Sequence, residues 1–118
     1  MYNKRSVGRE YEQLAAKYLM EQGYVIITQN FSCRTGEIDI IAKDQEYLVF
    51  VEVKFRTNTS KGLPQEAVDT RKIRKITHTA QYYMLIHQIP LDTPCRFDVV
   101  IILDRDITLI QNAFEALQ

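Results

Sequence analysis

The chain has 118 residues, enough for one domain with a single hydrophobic core. Hydrophobic residues make up 46% of it and charged residues 25%, which excludes intrinsic disorder as its normal state. Lysine and arginine together number 15 and balance 15 acidic residues, so the zero net charge does not by itself indicate a nucleic-acid or membrane partner. We predict a single domain over residues 1–118.

The cysteine usage and the start of the chain indicate the cellular compartment. Cys33 and Cys95 are far apart and belong to no Cys-x-x-Cys pair, so we interpret them as reduced thiols. The first residues are charged rather than an apolar signal core, and no apolar run is long enough to span a bilayer. We therefore expect a cytoplasmic protein that is neither secreted nor inserted in a membrane.

The hydrophobic pattern predicts two helices and five strands in the order α-β-β-β-α-β-β. Apolar residues at three- and four-residue steps, including Tyr11, Leu14 and Leu19, predict a helix over residues 6–22 that ends at Gly23. β-branched and aromatic runs predict strands over residues 24–28, 37–43, 47–55, 96–103 and 107–110, with residues 30–36 as a polar connection. This order favours an α/β fold with a mixed sheet flanked by helices.

The second helix is predicted to begin at Pro64, after a loop over residues 57–63, and to reach His87. Its apolar stripe is predicted to contain Val68, Ile76, Ala80, Tyr83 and Ile86. A basic cluster lies beside this stripe: Arg71, Lys72, Arg74 and Lys75. The cluster is either a solvated helix face or a surface that contacts phosphates.

Charged residues on two adjacent predicted strands are the strongest functional signal. A hairpin that turns at residues 44–46 places Asp39 across from or diagonal to Glu52. Strand alternation puts Glu52 and Lys54 on the face of Phe50 and opposite a valine face, so these charges are predicted to be partly buried. Two carboxylates about 4 Å apart repel by roughly 4 kcal/mol at an effective dielectric of 20, which a divalent cation or a raised pKa must relieve. Carboxylate oxygens suit Mg²⁺ or Mn²⁺.

Two of the nearby charged residues have a structural and a functional interpretation. Lys54 is either an ordinary ion-pair partner of Glu52 or Glu37, or a residue that stabilises transition-state charge or orients water; general-base chemistry requires a lowered pKa. Glu12 falls on the inward stripe of the first helix, where it either pairs with Arg9 or Lys17 or serves as a further metal or water ligand.

At these residues the chain resembles the PD-(D/E)xK nuclease superfamily, and more closely the YraN-like family within it. The similarity covers Gly8 with Glu12 and residues 14–19, Gly23-Tyr24, Asn30, residues 36–39, residues 49–54, residues 96–100 and residues 112–114. Ile38 stands where the superfamily motif has a proline before the acid. That proline shapes the turn and carries no reactive group.

The resemblance implies a restriction-endonuclease-like fold and a Mg²⁺-dependent or Mn²⁺-dependent endonuclease that hydrolyses DNA by water attack. Branched or damaged DNA is a candidate substrate. Asp39, Glu52 and Lys54 match the catalytic acid, the second acid and the lysine, and Glu12 looks like the first-helix acid of Holliday-junction-resolvase-like members. Asp39, Glu52 and Glu12 are the expected metal ligands. The candidate nucleic-acid contacts are Arg34, Arg56, Arg71, Lys72 and Lys75.

Two alternatives stay open from the sequence: a nucleic-acid-binding module with little turnover, and a structural domain whose charges form an ion-pair network without metal affinity. Strand alternation places Glu37 on the face of Asp39, where it either assists metal binding or pairs with Arg34. The choice between DNA and RNA, and whether two chains pair as a homodimer, are equally open.

Overall fold

A computed structural model of the chain describes residues 4–56 and 69–117, with side chains from Gly8 onward. The elements follow the predicted order: α1 (Lys4–Glu21), β1 (Val25–Cys33), β2 (Gly36–Asp44), β3 (Tyr47–Arg56), α2 (Thr70–Ile86), β4 (Cys95–Leu103) and β5 (Asp106–Ile110). Left-handed backbone at Gly23, with a φ of 97°, ends α1 where the sequence predicts.

The strands form one five-stranded sheet in the order β1-β2-β3-β4-β5. β3 and β4 run parallel, and every other neighbouring pair is antiparallel. The parallel pair requires a crossover, and α2 lies within it. The predicted α/β class with a mixed sheet is thereby confirmed. Within residues 4–56 and 69–117, no helix combines the length and apolar character needed to cross a membrane.

Each face of the sheet is covered by one helix, which confirms the predicted alternation along β3. Val49, Val51 and Val53 pack against the α1 residues Ala15, Ala16 and Leu19. Phe50 faces the other side, where the packing residues of α2 are Ile76, Ala80, Tyr83 and Met84. Because both faces are covered, a charged residue on β3 is drawn away from bulk water and requires a partner.

The first strand is longer than predicted. β1 continues to Cys33, so the interpretation of residues 30–36 as a connection is wrong, and the turn contains only Arg34 and Thr35. β1 is an edge strand with a half-exposed burial pattern, and polar side chains are tolerated there because one side stays wet. Cys33 and Cys95 are free thiols.

The second helix begins later than predicted. Asp69 has extended backbone, with φ −94° and ψ 176°, and its side chain accepts a hydrogen bond from the Lys72 amide, so α2 starts at Thr70 rather than at Pro64. The predicted loop and Val68 lie outside the described residues. One position of the predicted apolar stripe is wrong, because Ile86 is 48% exposed, and Leu14, which contributes to the predicted helical spacing, is 47% exposed. Leu14 lies beside the stripe that α1 buries, and Ile86 is the last residue of α2.

Candidate active site

The site begins where β2 and β3 separate. The two strands pair from Asp44 and Tyr47 as far as Ile40 and Val51. One step further, Asp39 would stand opposite Glu52, but its Oδ2 instead accepts a hydrogen bond of 2.8 Å from the Val53 amide. A carboxylate has therefore taken the place of a ladder carbonyl at the point where the strands diverge.

Asp39 also marks a break on the other side of β2. β1 pairs with β2 at Gln29 and Ile40 and again at Phe31 and Ile38, but not between them, where Asn30 faces Asp39 with a left-handed φ of 56°. Ile38 packs on the α2 side of the sheet, whereas Ile40 packs on the α1 side. The regular alternation along β2 is therefore interrupted at Asp39.

Glu52 lies among two lysines next to this break. It is 7% exposed, and its Oε1 is 3.2 Å from Lys54 Nζ and 2.8 Å from Lys72 Nζ. Lys54 follows two residues later on the same strand face, and Lys72 reaches Glu52 from the first turn of α2. The predicted pairing of Lys54 with Glu52 is present, together with a second lysine that the sequence places in the basic helix cluster.

Glu12 approaches from α1 and lines a polar pocket of about 400 Å³ together with Asn30 and Glu37. Its Oε1 is buried and has no hydrogen-bond partner in the part of the chain that the structure describes. Glu37 lines the α1-side pocket because the alternation breaks at Asp39. The charge of Glu37 also acts on Asp39, so the two carboxyl groups lie near each other.

Four carboxyl groups influence one another in this region. Burial, and next the charge of Glu52, raise the pKa of Asp39 to about 7, against the hydrogen bond from Val53; Glu12 and Glu37 add to the rise. Burial, and next the charge of Glu37, likewise raise the pKa of Glu12 above its usual value, although Asn30 and Arg9 act in the opposite direction. The site therefore carries more negative charge than its surroundings stabilise.

The two lysines respond in opposite directions. Burial, and next the neighbouring Lys72, lower the pKa of Lys54 despite its contact with Glu52. Burial would also lower the pKa of Lys72, but its bond with Glu52 prevails and raises it. General-base chemistry by Lys54 requires a lowered pKa, and the pKa of Lys54 is shifted in that direction.

The donor chemistry of the site fits a hard divalent cation. Its carboxylates supply only oxygen ligands, which such cations prefer. Among the described residues, one buried oxygen of Glu12 has no hydrogen-bond partner. A positive ion beside Asp39 would also offset the repulsion from the neighbouring carboxylates. Among the described residues, however, no three Asp, Glu, His or Cys side chains converge as a ready-made metal site. Glu52 instead faces two ammonium groups, so the carboxylates are grouped but not yet turned toward one point.

The candidate nucleic-acid contacts fall into three locations. Arg71 and Lys75 are exposed on the first two turns of α2, whereas Lys72 is bound to Glu52. Arg56 is half-buried at the end of β3, where its Nη1 donates to the Phe55 carbonyl. Arg34 lies in the β1–β2 turn and lines a separate pocket with Cys33, Thr35 and Tyr82. The alternative pairing of Arg34 with Glu37 does not occur among the described ion pairs.

A second polar cluster, which we call the Arg96 network, lies at the opposite end of β2 and β3. Asp98 is fully buried and accepts hydrogen bonds from Tyr24 at 2.6 Å, from the Asn112 amide at 2.9 Å and from the Arg96 guanidinium at 2.9 and 3.0 Å. Arg96 also pairs with Asp44 at 2.8 Å. Every charged group of this network has a close opposite partner.

Two residues, Asn30 and Lys72, lie next to the carboxyl groups of the site although the sequence did not predict them there. Asn30 is among the residues that carry the family resemblance. Its left-handed backbone opposite Asp39 and its position beside Glu12 appear only in the folded chain. An asparagine soon after the β-branched run of residues 25–28 was the available signal, because asparagine tolerates φ above zero. Lys72 was assigned to nucleic acid, and its contact with Glu52 depends on how α2 docks.

Comparison with known proteins identifies one family over most of the chain. The model of the uncharacterised protein family UPF0102 matches residues 11–102, which include Glu12, Asp39, Glu52 and Lys54. The UPF0102 protein of Lachnoclostridium phytofermentans is 56% identical over 114 residues and aligned over 97% of both chains. That of Persephonella marina is 44% identical over 108 residues, or 92% of both chains. That of Stutzerimonas stutzeri is 40% identical over 120 residues, covering 98% of this chain and 100% of its own.

Proposed function

The chain belongs to the UPF0102 family, the YraN-like family that its motifs resemble, and we propose that it is a divalent-metal-dependent nuclease hydrolysing phosphodiester bonds in DNA. The observation that carries this proposal is the grouping of Asp39, Glu52 and Lys54 where β2 and β3 diverge. Acids and a lysine brought together at the open end of a sheet supply both metal ligands and a positive group for a phosphate. Burial and the charge of Glu52 raise the pKa of Asp39 to about 7, and a carboxyl group perturbed in this way beside a lysine is typical of functional sites.

Each residue has a distinct part in this chemistry. Asp39, Glu52 and Glu12 would hold Mg²⁺ or Mn²⁺, which lowers the pKa of bound water and offsets charge on the phosphate. The Val53 amide fixes the orientation of Asp39. Lys54 Nζ lies beside Glu52, where it stabilises negative charge on the phosphate oxygens, and its lowered pKa favours proton exchange with the attacking water. Hydrolysis joins the water oxygen to phosphorus and breaks one P–O ester bond, while the water gives up one proton and the leaving sugar oxygen takes one up as a hydroxyl.

The substrate is recognised through its backbone in this proposal. The exposed face of α2 carries Arg71, Arg74 and Lys75, so local positive charge is available although the whole chain is neutral. These charged groups are suited to contacts with phosphates, which carry no sequence information directly. Selectivity for the shape of the nucleic acid therefore follows more naturally than selectivity for base sequence.

The decisive test is a substrate panel incubated with Mg²⁺ or Mn²⁺. Duplex, single-stranded, flap and four-way-junction DNA, with matching RNA forms, are incubated with wild type, Asp39→Asn, Glu52→Gln and Lys54→Met. We expect metal-dependent cleavage of at least one DNA form, reduced by roughly 10³-fold in each variant. Lys43→Met, which removes an exposed lysine from β2, is the matched control and should cleave normally. Inactivity of the wild type on every form would exclude the nuclease proposal.

A second candidate function is a nucleic-acid-binding module with the same fold and little turnover. The double ion pair of Glu52 favours it, because both lysines neutralise this acid without a metal. It predicts that DNA binding is independent of Mg²⁺ and unchanged in Glu52→Gln. Binding measured by fluorescence anisotropy with and without Mg²⁺ separates the two functions, since the nuclease requires metal for a productive complex.

A further inference from the structure

Lys72 is the closest cation to the buried acid of the site. Its Nζ lies 2.8 Å from Glu52 Oε1, compared with 3.2 Å for Lys54 Nζ on the same oxygen. Both lysines therefore share one carboxylate oxygen that the proposed function assigns to a metal ion. The ammonium groups of Lys54 and Lys72 therefore occupy the position on this Glu52 oxygen where a metal ion would bind.

The two lysines differ in how firmly they are held. The Lys54 side chain is 11% exposed on a strand between two helices, whereas that of Lys72 is 38% exposed. The backbone of Lys72 is fixed by the bond from its amide to Asp69 Oδ1 at 2.9 Å, while its four-carbon stem is long and flexible. Lys72 can therefore leave Glu52 for solvent or for a phosphate without any movement of α2.

We propose that Lys72 is a positioning residue whose ammonium group occupies the cation position on Glu52. When a divalent metal takes that position, Lys72 moves to a nucleic-acid phosphate. This inference rests on the proposed function. In the metal-free protein, Lys72 offsets part of the negative charge of Glu52 and Asp39. When a divalent ion takes over Glu52, Lys72 is released on the same face of α2 as the exposed Arg71 and Lys75.

The exchange has a thermodynamic consequence that a fixed lysine lacks. If metal binding frees Lys72 for DNA, then metal increases the affinity for DNA, and DNA increases the affinity for metal by the same factor. A lysine that only orients Glu52 would act in the opposite way, because its removal would disorder a metal ligand and weaken the binding of metal.

The first experiment measures Mn²⁺ binding by calorimetry in the absence of DNA. Lys72→Met removes the competing charge but keeps a stem of similar length, so Mn²⁺ should bind about tenfold more tightly than to wild type. Lys72→Arg retains the charge and should stay near wild type. Lys75→Met, one turn along the same helix face, is the matched control and should leave Mn²⁺ affinity unchanged.

The second experiment measures DNA affinity with and without Ca²⁺ by anisotropy, with the DNA verified intact afterwards. Wild type and Lys75→Met should both bind DNA more tightly with Ca²⁺, although Lys75→Met binds more weakly throughout. Lys72→Met should lose most of this gain. Weaker or unchanged Mn²⁺ binding by Lys72→Met, while wild type binds Mn²⁺, would overturn the exchange alone. Absence of Mn²⁺ binding in wild type and all variants would instead remove the metal on which the proposed function depends.

Discussion

The two polar clusters of this sheet are built from the same residue types but are balanced differently. In the Arg96 network, the buried carboxylate of Asp98 receives four donated hydrogen bonds, and the guanidinium that supplies two of them is shared with Asp44. At the candidate active site, the described residues leave one oxygen of Glu12 without a partner and give Asp39 one hydrogen bond, from an amide. The first cluster is complete within the chain, whereas among the described residues the second has only Lys54 and Lys72 in ion pairs with its four carboxyl groups.

The difference shows which buried charges stabilise the fold. A buried carboxylate with several good donors is strongly tied to its partners, and the removal of one member leaves the others exposed to a low-dielectric interior. A group of like charges does the reverse, because each carboxylate destabilises the next unless a cation arrives. Both clusters contain residues that carry the family resemblance. The resemblance alone therefore does not distinguish a structural role from a chemical one.

The largest expected effect is on stability, measured by denaturant unfolding without metal at neutral pH. Asp98→Ala should lower the free energy of unfolding by about 3–5 kcal/mol, because it leaves Arg96 and Tyr24 without their common acceptor. Asp39→Ala should change it by about 1 kcal/mol or less, since the lost bond to Val53 is offset by reduced repulsion.

The exposed Asp92→Ala is the matched control for both variants and should be neutral. Asp98→Asn serves if Asp98→Ala does not fold, because it keeps the shape and part of the acceptor capacity of Asp98. Equal losses for the Asp98 and Asp39 variants would contradict the proposed contrast between the two clusters.

The second prediction uses pH to separate the clusters. The pKa of Asp39 is about 7 in the folded protein and near 3.8 when unfolded, so its ionisation destabilises the fold: the stability is complete below pH 3.8 and is lost as the pH rises to about 7. Tyr24, whose pKa burial and Asp98 raise from 10 to about 12, loses its contribution only between these alkaline values.

The difference in unfolding free energy between wild type and Asp39→Asn should therefore change by roughly 2–3 kcal/mol from pH 4 to pH 8, less than the full linkage value because Asp39 is partly open to water. Urea unfolding at a series of pH values in this range provides the measurement. Tyr24→Phe should keep the wild-type slope throughout that range. A slope that persists in Asp39→Asn would assign the effect to other groups.

The sequence predicted the parts of the site that depend on regular strand geometry. Glu52 and Lys54 share a face opposite the valines, and the register of the hairpin brings Asp39 level with Glu52. It did not predict the break at Asp39, because alternation assumes an uninterrupted ladder. The left-handed backbone of Asn30 lies opposite that break, on the neighbouring strand.

Long-range contacts were the other part that the sequence could not supply. The reach of Lys72 to Glu52 depends on where α2 begins, and the predicted start at Pro64 places no cap at Asp69. Similarly, the sequence assigned Arg96 and Asp98 only to the fourth predicted strand and to the family resemblance. Their partners Tyr24 and Asp44 lie 72 and 52 residues away along the chain, a distance that no local pattern spans.

The smallest expected effect comes from making the same chemical change, amide to carboxylate, in each cluster. Asn30→Asp keeps the tolerance for a left-handed backbone but adds negative charge beside Glu12, so it should lower the unfolding free energy by about 1 kcal/mol at neutral pH. Gln111→Glu alters an exposed donor to the Tyr24 hydroxyl, 2.9 Å away, next to Arg96. Its cost should stay below about 0.5 kcal/mol because the guanidinium offsets the added charge.

Asn30→Gly separates charge from backbone conformation in this comparison. It loses the amide but relieves the left-handed φ and adds no charge, so its stability should lie within about 0.5 kcal/mol of wild type. Urea unfolding at acidic and neutral pH provides the measurement, and only Asn30→Asp should recover stability on acidification. Asn30→Asp and Gln111→Glu could instead lower the unfolding free energy equally at both pH values. The carboxyl groups of the candidate active site would then be balanced by positive charge as well as those of the Arg96 network. The electrostatic argument for a bound cation would then lose its basis.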